Sequence, residues 1–451
     1  MSQTGMTVGL DIGATLIKVV VAQTDGQHFN VIATGNAPSR GIRNGIIVDI
    51  NETASAIRQA IDYAREKANI EIQEVVVGLP ANQLEISNAD GLVSIENQNK
   101  RITYNDVANV TEQALASLSK NGKEVIELVP SDFVVDGFDG VKNPNDMIGV
   151  RLELRGLAYL GPSKMIDNIR MAVQKAGLRV KEFVLAPLVM GETILNDGEQ
   201  DFGSVLIDLG GGQTTVSVIH DHQLKFTFVD PEGGDNVTRD ISTVLGISYN
   251  DAENIKRDHG FATPSQASAN QTFFIEVVGE NEAQITNEEY LAEIIAARLD
   301  QIYDRVIERL KFIGAMDLPG GFIITGGNSA LPGSLAFAKE RLGDNVHMSV
   351  PDQIGLRHPA YSRALSYVLF NSSETQLQEV VKRVLMSQFD EEDGASHVAP
   401  YHQVTGAGEA IETQIDEEDE IYVDEQAGGG LLNRWRTRIT NLFKEEDDDK
   451  K

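Results

Sequence analysis

Two short stretches of the sequence place an aspartate next to glycine and threonine, a combination that suits phosphate binding. They are VGLDIGATLIK at residues 8–18 and VLIDLGGGQTT at residues 205–215. Glycine lets backbone N–H groups approach an anion closely, while threonine and lysine side chains add further donors. An aspartate beside such a loop can hold a hydrated Mg²⁺ ion. The predicted chemistry is therefore the binding of phosphate groups together with a metal ion.

In the first stretch, a strand is predicted to end at Asp11, to turn at Gly13 and to return as a second strand that carries Lys18. Ala14 and Thr15 lie in the turn, and the threonine contributes a hydroxyl. Taken alone, the stretch is equally well explained as a hairpin with an exposed lysine, because short glycine turns are common. That alternative stays open at this point.

In the second stretch, a buried strand delivers Asp208 and is followed by three glycines. A tight hairpin explains one or two of these glycines, but not three followed by a polar trio. Two such loops suit two lobes that hold phosphates from opposite sides, with Mg²⁺ between Asp11 and Asp208. The loop and the polar trio consist of Gly210, Gly211, Gly212, Gln213, Thr214 and Thr215.

The elements that must position these residues alternate between strand and helix. Short apolar runs predict strands at residues 16–22, 75–80, 204–212 and 321–328. Helical periodicity covers residues 51–68 and 288–313. The predicted class is α/β. The two stretches in which a strand is followed by a glycine turn, at residues 8–18 and 205–215, indicate a duplicated architecture.

The overall composition narrows the classes of function. The chain has 451 residues, enough for two to four domains, and a formal net charge of −30. That charge argues against nucleic acid as a partner, because phosphate backbones are bound by clustered lysines and arginines. The sequence contains no cysteine, which excludes disulfides and thiolate metal sites. No apolar run reaches 18 residues, so no membrane-spanning helix is predicted.

The end of the chain differs from the rest. An acidic flexible linker is predicted over residues 386–429, and an amphipathic helix over residues 430–444. On a helical wheel the apolar residues of this segment share about 120° of arc, with arginines at its edges. This pattern is typical of a helix that lies in the interface of an anionic membrane; the alternative is a helix docked on its own globular core. The predicted membrane contacts are Leu431, Leu432, Trp435, Arg436, Arg438, Ile439, Leu442 and Phe443.

In the type and order of its motifs along the chain, the sequence resembles the actin, Hsp70 and sugar-kinase superfamily. DIGATLIK and IDLGGGQTT resemble its two phosphate loops, and FIITGGNSALPG (322–333) resembles its adenosine loop. AENIKRDHG (252–260) matches the spacing with which that superfamily holds ribose and adenine. The resemblance implies ATP and Mg²⁺ as cofactors. It adds Gly233, Gly234, Asp235, Glu253, Lys256, Arg257, Gly326, Gly327 and Asn328 to the predicted nucleotide site.

Within that superfamily, GLPANQLEI, NGIIVDI, PEGGDNVTRDIS and EEYLAEIIAARLDQIYDRV resemble the FtsA family of bacterial cell-division proteins. The resemblance implies an ATP-binding, self-polymerising adaptor that tethers the tubulin-like protein FtsZ to the membrane. The implied partners are the FtsZ C-terminal tail, further copies of the chain, other division proteins and anionic lipids. The implied location is the cytoplasmic face of the cell membrane at the septum, as a peripheral protein.

The resemblance also divides the chain into an actin-like fold of two lobes with duplicated ribonuclease-H-like cores. In the family's nomenclature, subdomain 1C is an insertion that contacts other division proteins. The predicted bounds are 6–82, 163–203 and 355–385 for subdomain 1A, 83–162 for 1C, 204–240 and 314–354 for 2A, and 241–313 for 2B.

Two groups of residues carry the predicted activity and the predicted partner. Asp208 and Gln213 are the candidate catalytic residues, although Gln213 and Asn82 are each also explained as structural, so at most weak ATP hydrolysis is expected. FtsZ binding is assigned by resemblance to Arg298 and Arg305 on the helix of subdomain 2B. A solvated helix face explains these two arginines equally well. The remaining alternatives are a pilus-assembly ATPase of the same fold and a small-molecule kinase or phosphatase with a membrane anchor.

One helix near the end of the core departs from the family pattern. The stretch HPAYSRALSYVLF places Ser366 and Tyr367 where small residues or glycine are more common in the family. Helix packing against the first phosphate loop is therefore expected to differ. A histidine pair in HDH (220–222) is interpreted as a turn rather than a metal site.

Overall fold

The structure is a computed structural model that describes residues 5–25, 28–96, 99–119, 121–280, 282–371 and 375–393. Its strands are β1 (Gly5–Ile12), β2 (Leu16–Asp25), β3 (His28–Pro38), β4 (Ile42–Arg43), β5 (Ile46–Ile47), β6 (Glu74–Leu79), β7 (Glu85–Ser94), β8 (Lys123–Val135), β9 (Phe138–Val141), β10 (Arg151–Pro162), β11 (Arg179–Leu185), β12 (Ser204–Leu209), β13 (Thr214–His220), β14 (Gln223–Asp230), β15 (Thr272–Ile275), β16 (Gln284–Asn287), β17 (Phe322–Thr325) and β18 (Val346–Met348). Its helices are α1 (Ile50–Ala68), α2 (Tyr104–Ala116), α3 (Ser163–Lys175), α4 (Ala186–Ile194), α5 (Asp197–Asp201), α6 (Gly234–Leu245), α7 (Tyr249–His259), α8 (Glu288–Ile313), α9 (Ser334–Leu342), α10 (Ser362–Asn371) and α11 (Gln376–Asp393).

The first lobe is built on a five-stranded mixed sheet in the order β11-β6-β1-β2-β3. Strand β1 runs antiparallel to β2 and parallel to β6. The central strands are apolar on both faces because helices cover both. α1 packs on one face, and α10 packs on the other against Val20 and Ala22. The ends of α1 are specified locally: Asp49 accepts hydrogen bonds from the first free N–H groups, and Asn69 takes the left-handed conformation that ends a helix.

The second lobe repeats this plan. Its sheet has the order β14-β13-β12-β17-β18, and β12 runs antiparallel to β13 and parallel to β17. The predicted duplication of architecture is therefore confirmed, as is the α/β class. The histidine stretch is a turn, as predicted: β13 ends at His220, β14 begins at Gln223, and Asp221 and His222 have positive φ angles.

Helices α6, α7 and α8 and the hairpin β15–β16 adjoin the second lobe. α6 and α8 pack through buried aliphatic side chains, among them Ile241 and Leu299. α8 begins where the Asn287 side chain accepts from the backbone N–H of Tyr290, and it ends at Gly314 in the left-handed conformation. These helices hold one wall of the cleft between the lobes.

A separate four-stranded sheet, in the order β7-β10-β8-β9, lies within the predicted insertion 83–162. Helix α2 packs on this sheet, and so does α11, through Val380, Val381, Val384 and Leu385. Within the predicted continuation of subdomain 1A to residue 385, the apolar face of α11 lies against the inserted subdomain, while Lys382 pairs with Glu182 of β11. Helix α11 also runs to Asp393, over the first residues of the predicted acidic linker.

The two unusual residues of α10 each have a matching partner. The Ser366 hydroxyl accepts a hydrogen bond of 2.7 Å from the Thr193 hydroxyl. The Tyr367 ring is buried against Gly78 of β6, where an added Cβ atom would lie 2.0 Å from ring carbon Cζ. Tyr367 is thus a large side chain on α10 that is matched to a glycine on the sheet below.

We predict that Gly78→Ala destabilises the protein by about 3 kcal/mol, because the new methyl group overlaps a fully buried ring. Urea-induced unfolding followed by circular dichroism measures the change. Gly5→Ala is the control, because no atom lies within 4 Å of the added Cβ there. Combining Gly78→Ala with Tyr367→Leu should cost less than the sum of the two single changes. Strict additivity of the two would contradict this packing.

Candidate functional site

A cavity of 580 Å³ lies between the two lobes, where the two glycine loops face each other. Both loops follow strands at the same position in the duplicated sheets, β1 in one lobe and β12 in the other. Most of the residues predicted for phosphate, metal and nucleoside binding line this cavity. They are Asp11, Gly13, Ala14, Thr15, Lys18, Asp208, Gly210, Gly211, Gly212, Gln213, Gly234, Asp235, Glu253, Lys256, Arg257, Gly326, Gly327 and Asn328.

In the first lobe, Asp11 and Lys18 are cross-strand partners on β1 and β2. The Lys18 Nζ donates to Asp11 Oδ2 over 2.8 Å, and both side chains are largely buried. The simple hairpin explanation required an exposed lysine, whereas Lys18 is largely buried. The carboxylate and the ammonium compensate each other at the floor of the cleft.

In the second lobe, the Asp208 carboxylate pairs with Arg363 of α10, whose Nε donates to Asp208 Oδ2. A second, longer contact of 3.5 Å joins Arg363 Nη2 to the Thr215 hydroxyl. Burial would lower the pKa of Arg363, but the charges of Asp208 and Asp11 outweigh it and raise that pKa. Sequence reasoning missed Arg363, whose one local signal is that it is the single charged residue of the helix sequence SRALSYVLFN.

The two loops touch each other directly. The Thr15 hydroxyl donates to Asp235 Oδ1 over 3.2 Å, which joins the first loop to the start of α6. A Cβ atom on Gly211 would lie 1.9 Å from the Thr15 hydroxyl, and one on Gly212 would lie 2.5 Å from the Ala14 side chain. Glycine is therefore required in the second loop, because any side chain would force the lobes apart.

Helix α7 contributes a second cluster of charges. The Lys256 Nζ is buried and donates to Glu253 over 2.6 Å, to the Thr238 hydroxyl over 2.6 Å and to the Gly234 carbonyl over 3.1 Å. Burial alone would raise the pKa of Glu253, but Lys256, Thr238 and Arg257 outweigh it and lower that pKa. The predicted shared helix face is confirmed, and its cations are held in place by one carboxylate.

Two buried polar atoms at the cleft have no hydrogen-bond partner. They are Nδ2 of Asn328 and Oε1 of Gln213. The Gln213 amide is held from its other side, where Nε2 donates to Asn82 Oδ1 over 3.4 Å. Leaving a buried polar atom unpaired costs about 1–3 kcal/mol, so such atoms mark places where a polar ligand or water would be stabilised.

The charged side chains that line the cavity balance. Four are acidic and four are basic, in a chain whose net charge is −30. Burial, followed by the charges of Lys18 and Arg257, lowers the pKa of His358 at the cavity edge, so the imidazole is neutral at neutral pH. The cleft is thus far less negative than the rest of the protein, which favours an anionic ligand there.

Three of the predicted site residues have other roles in the structure. The Thr214 hydroxyl donates to the Glu232 carbonyl over 2.9 Å, so it shapes the turn and does not line the cavity. Thr215 faces Arg363, and Gly233 packs under the second loop, where a Cβ would meet the carbonyls of Gly210 and Gly211. In the described residues, no cluster of three or more metal-ligating side chains occurs.

The two arginines predicted to bind FtsZ lie in an ion-pair network on the second lobe. Arg298 forms two hydrogen bonds to Asp240, of 2.6 and 2.9 Å, and one of 2.8 Å to Glu232. Arg305 pairs with Asp230 and with Glu232. Burial would raise the pKa of Glu232, but the two arginines outweigh it and lower that pKa. The predicted membrane helix and most of the predicted linker lie outside the described residues.

Comparison with known proteins decides between the members of this fold. Residues 205–366 match the family model "Cell division protein FtsA", and residues 81–159 match "SHS2 domain inserted in FTSA". The cell division protein FtsA of Enterococcus hirae is 48% identical over 382 residues, which cover 85% of this chain and 86% of that protein. The chain belongs to the FtsA family.

One member of this family matches nearly the whole chain. FtsA of Enterococcus faecalis is 43% identical over 443 residues, covering 98% of this chain and 100% of that protein. A solved type IV pilus biogenesis complex, PilM–PilN, shares the fold with a TM-score of 0.57 at 16% identity, covering 82% of this chain and 99% of that one. The actin-like fold is therefore confirmed, and the sequence relationship favours the division family over the pilus-assembly alternative.

We predict that Gly326→Ala lowers affinity for MgATP at least about ten-fold, because its Cβ would lie 2.2 Å from Asp208 Oδ1 and displace that carboxylate. Isothermal titration calorimetry measures the affinity. Gly343→Ala is the matched control, because Gly343 has a similarly positive φ of 97° against 92° but open space around it. Both changes incur a backbone strain of about 1–3 kcal/mol. Equal affinities for MgATP in the two variants would contradict the predicted role of Asp208.

Proposed function

We propose that this FtsA-family protein binds ATP with Mg²⁺, polymerises through its actin-like body and tethers FtsZ filaments to the cytoplasmic face of the membrane at the septum. The single observation that supports nucleotide binding is the cleft itself. Two glycine loops, buried cations and two unpaired amide atoms converge on one cavity between duplicated lobes. Each of these features suits a ligand with several phosphates and a polar base.

The residues present fit a hydrated Mg²⁺ ion between the lobes. Asp11 and Asp208 project from equivalent strands into the same cavity, and Mg²⁺ needs only one or two carboxylates when phosphates and waters complete its coordination. Held by Asp11 and Asp208, the ion would offset the negative charge of the phosphates. Lys18 compensates Asp11. The backbone N–H groups of Gly211 and Gly212 would donate to the phosphates, whereas that of Gly210 donates to the carbonyls of Asp208 and Gln213.

A role for Gln213 in orienting water follows from its position. Its Oε1 atom lacks a partner, while its amide nitrogen donates to Asn82, so the free oxygen has a defined direction. A single amide that accepts from water is a weaker activator than a carboxylate base. We therefore propose slow ATP hydrolysis at most, with the nucleotide acting mainly as a ligand that holds the two lobes together.

A small-molecule kinase or phosphatase of this fold is less well supported. Such an enzyme needs a carboxylate or an imidazole free to act as a base. In the described part of the chain, each of the four carboxylates that line the cleft has a partner. Asp11 pairs with Lys18, Asp208 with Arg363, Glu253 with Lys256, and Asp235 with Thr15. The imidazole of His358 also lines the cleft, and its Nδ1 accepts a hydrogen bond of 3.1 Å from the backbone N–H of Ala360.

Membrane attachment is proposed through residues 430–444. Within the described residues, none of the helices has the length and apolar character needed to cross a membrane. A single short amphipathic helix binds a bilayer weakly, whereas many of them on one polymer bind together with high avidity. Polymerisation of the ATP-bound bodies would thus convert a weak lipid contact into a firm attachment.

We predict that the protein with ATP and Mg²⁺ sediments with anionic lipid vesicles and forms filaments on them that recruit FtsZ. Trp435→Ala should remove vesicle binding and leave ATP affinity unchanged, because the tryptophan anchors the apolar face in the headgroup region. Vesicle co-sedimentation, electron microscopy and calorimetry provide the three measurements. Asn433→Ala, on the predicted polar face, is the control. Rapid phosphate release to a small acceptor without assembly would contradict the adaptor function.

FtsZ binding is proposed at the Arg298 and Arg305 network. The resemblance implies a tail that is acidic and partly apolar, and a carboxylate of such a tail would replace Glu232, which both arginines share. The other division proteins are proposed to bind the inserted subdomain, residues 83–162, whose own sheet gives it a separate surface.

We predict that Arg298→Ala weakens binding of the FtsZ C-terminal peptide about ten-fold or more, with a smaller effect for Arg305→Ala. Both arginines pair through two nitrogens with an aspartate, but Arg298 also donates to Gln301 and is less exposed, so its guanidinium is held more rigidly. Fluorescence anisotropy of a labelled peptide measures the affinity. Arg309→Ala, an exposed arginine of the same helix, is the control. An equal effect of all three substitutions would indicate a general charge effect instead of a binding site.

A further inference from the structure

Arg363 is a cation of the cleft that comes from neither glycine loop nor α7. It comes from α10, whose other buried residues are apolar or small, and its side chain is 18% exposed. Its guanidinium lines the same cavity as both glycine loops and both predicted metal aspartates. A guanidinium placed only to hold α10 against the second lobe would not need to face this cavity.

The hydrogen bonds of Arg363 leave donors for a ligand. Its Nε is used by Asp208, and its Nη2 has only a 3.5 Å contact with the Thr215 hydroxyl. A guanidinium carries five N–H donors arranged to match carboxylate and phosphate oxygens. The group therefore has unused donor capacity in the cavity that Asp11, Asp208 and Gln213 also line.

Exchange of one anion for another at Arg363 carries a small desolvation cost. The guanidinium is already largely removed from water in its pair with Asp208, so a phosphate that replaces the carboxylate meets a dehydrated and oriented partner. The exchange also releases Asp208, because one carboxylate cannot at the same time compensate an arginine fully and serve a hydrated Mg²⁺ ion.

We propose that Arg363 binds the terminal phosphate of the nucleotide and that its ion pair with Asp208 opens when it does. In the absence of ligand, Asp208 and Arg363 thus pair with each other. On binding, Arg363 pairs with the phosphate and Asp208 serves the metal ion. This inference rests on the proposed nucleotide site. It adds a positioning residue from α10 that distinguishes triphosphate from nucleoside.

The test is the affinity of the full chain for ATP, ADP and adenosine, measured by calorimetry with Mg²⁺ and again with EDTA. In Arg363→Gln, affinity for ATP should fall about ten- to a hundred-fold, which is the loss expected when one charge-assisted hydrogen-bond pair is removed. Affinity for ADP should fall less, and affinity for adenosine should stay within about two-fold. Arg363→Lys should recover part of the ATP affinity, because it keeps the charge but not the fork of donors.

A second variant tests the exchange itself. Asp208→Asn removes the competing carboxylate, so affinity for ATP in EDTA should rise while the gain from added Mg²⁺ is lost. Thermal unfolding of Arg363→Gln and of the double variant Asp208→Asn with Arg363→Gln shows whether the fold persists. The double variant is expected to be the more stable of the two, because it buries no unpaired charge.

The outcomes distinguish a wrong role for Arg363 from the absence of a nucleotide site. Equal losses for ATP, ADP and adenosine in Arg363→Gln would show that the arginine only supports the fold, and would overturn the inference. Unchanged ATP affinity in that variant, or a fall in EDTA-measured affinity in Asp208→Asn, would overturn it as well. If the unaltered chain binds neither ATP nor adenosine, the nucleotide site itself is refuted.

Discussion

The close contact between a glycine turn of one lobe and a glycine turn of the other is the constraint on which the site depends. Thr15 and Asp235 form a hydrogen bond across it, and the space left by Gly211 and Gly212 is filled by atoms of the opposite loop. Because the two sheets share one plan, each strand brings its aspartate to the same cavity. Duplication of the fold thus produces a site with two similar halves, and glycine lets the halves meet.

Electrostatic pairing makes this arrangement stable in so acidic a chain. Asp11 and Asp208 would repel each other in the cleft if each lacked a cation. Lys18 and Arg363 supply these cations, one from the neighbouring strand and one from a distant helix. The cleft is therefore locally neutral within a protein of charge −30, and an anionic ligand enters without first overcoming the field of the whole molecule.

The fold and most of the candidate site residues could be predicted from local patterns in the sequence. The strands before Asp11 and Asp208, the long helix 288–313 and the helix face shared by Glu253, Lys256 and Arg257 follow from periodicity and spacing, and the structure has them. Arg363 could not be placed in this way, because its partner Asp208 is 155 positions away and only the tertiary fold joins them. The same holds for Tyr367, whose size is explained by Gly78, and for Arg298 and Arg305, whose acidic partners lie on other elements.

Helix α11 changes how the end of the chain is connected to the body. Its aliphatic face is buried on the inserted subdomain, and Lys382 pairs with Glu182 of β11, so one helix spans two structural units. Everything after Asp393 continues from the end of this helix. Mechanical tension on the C-terminal segment therefore first acts on α11 and is shared between the inserted subdomain and the first lobe.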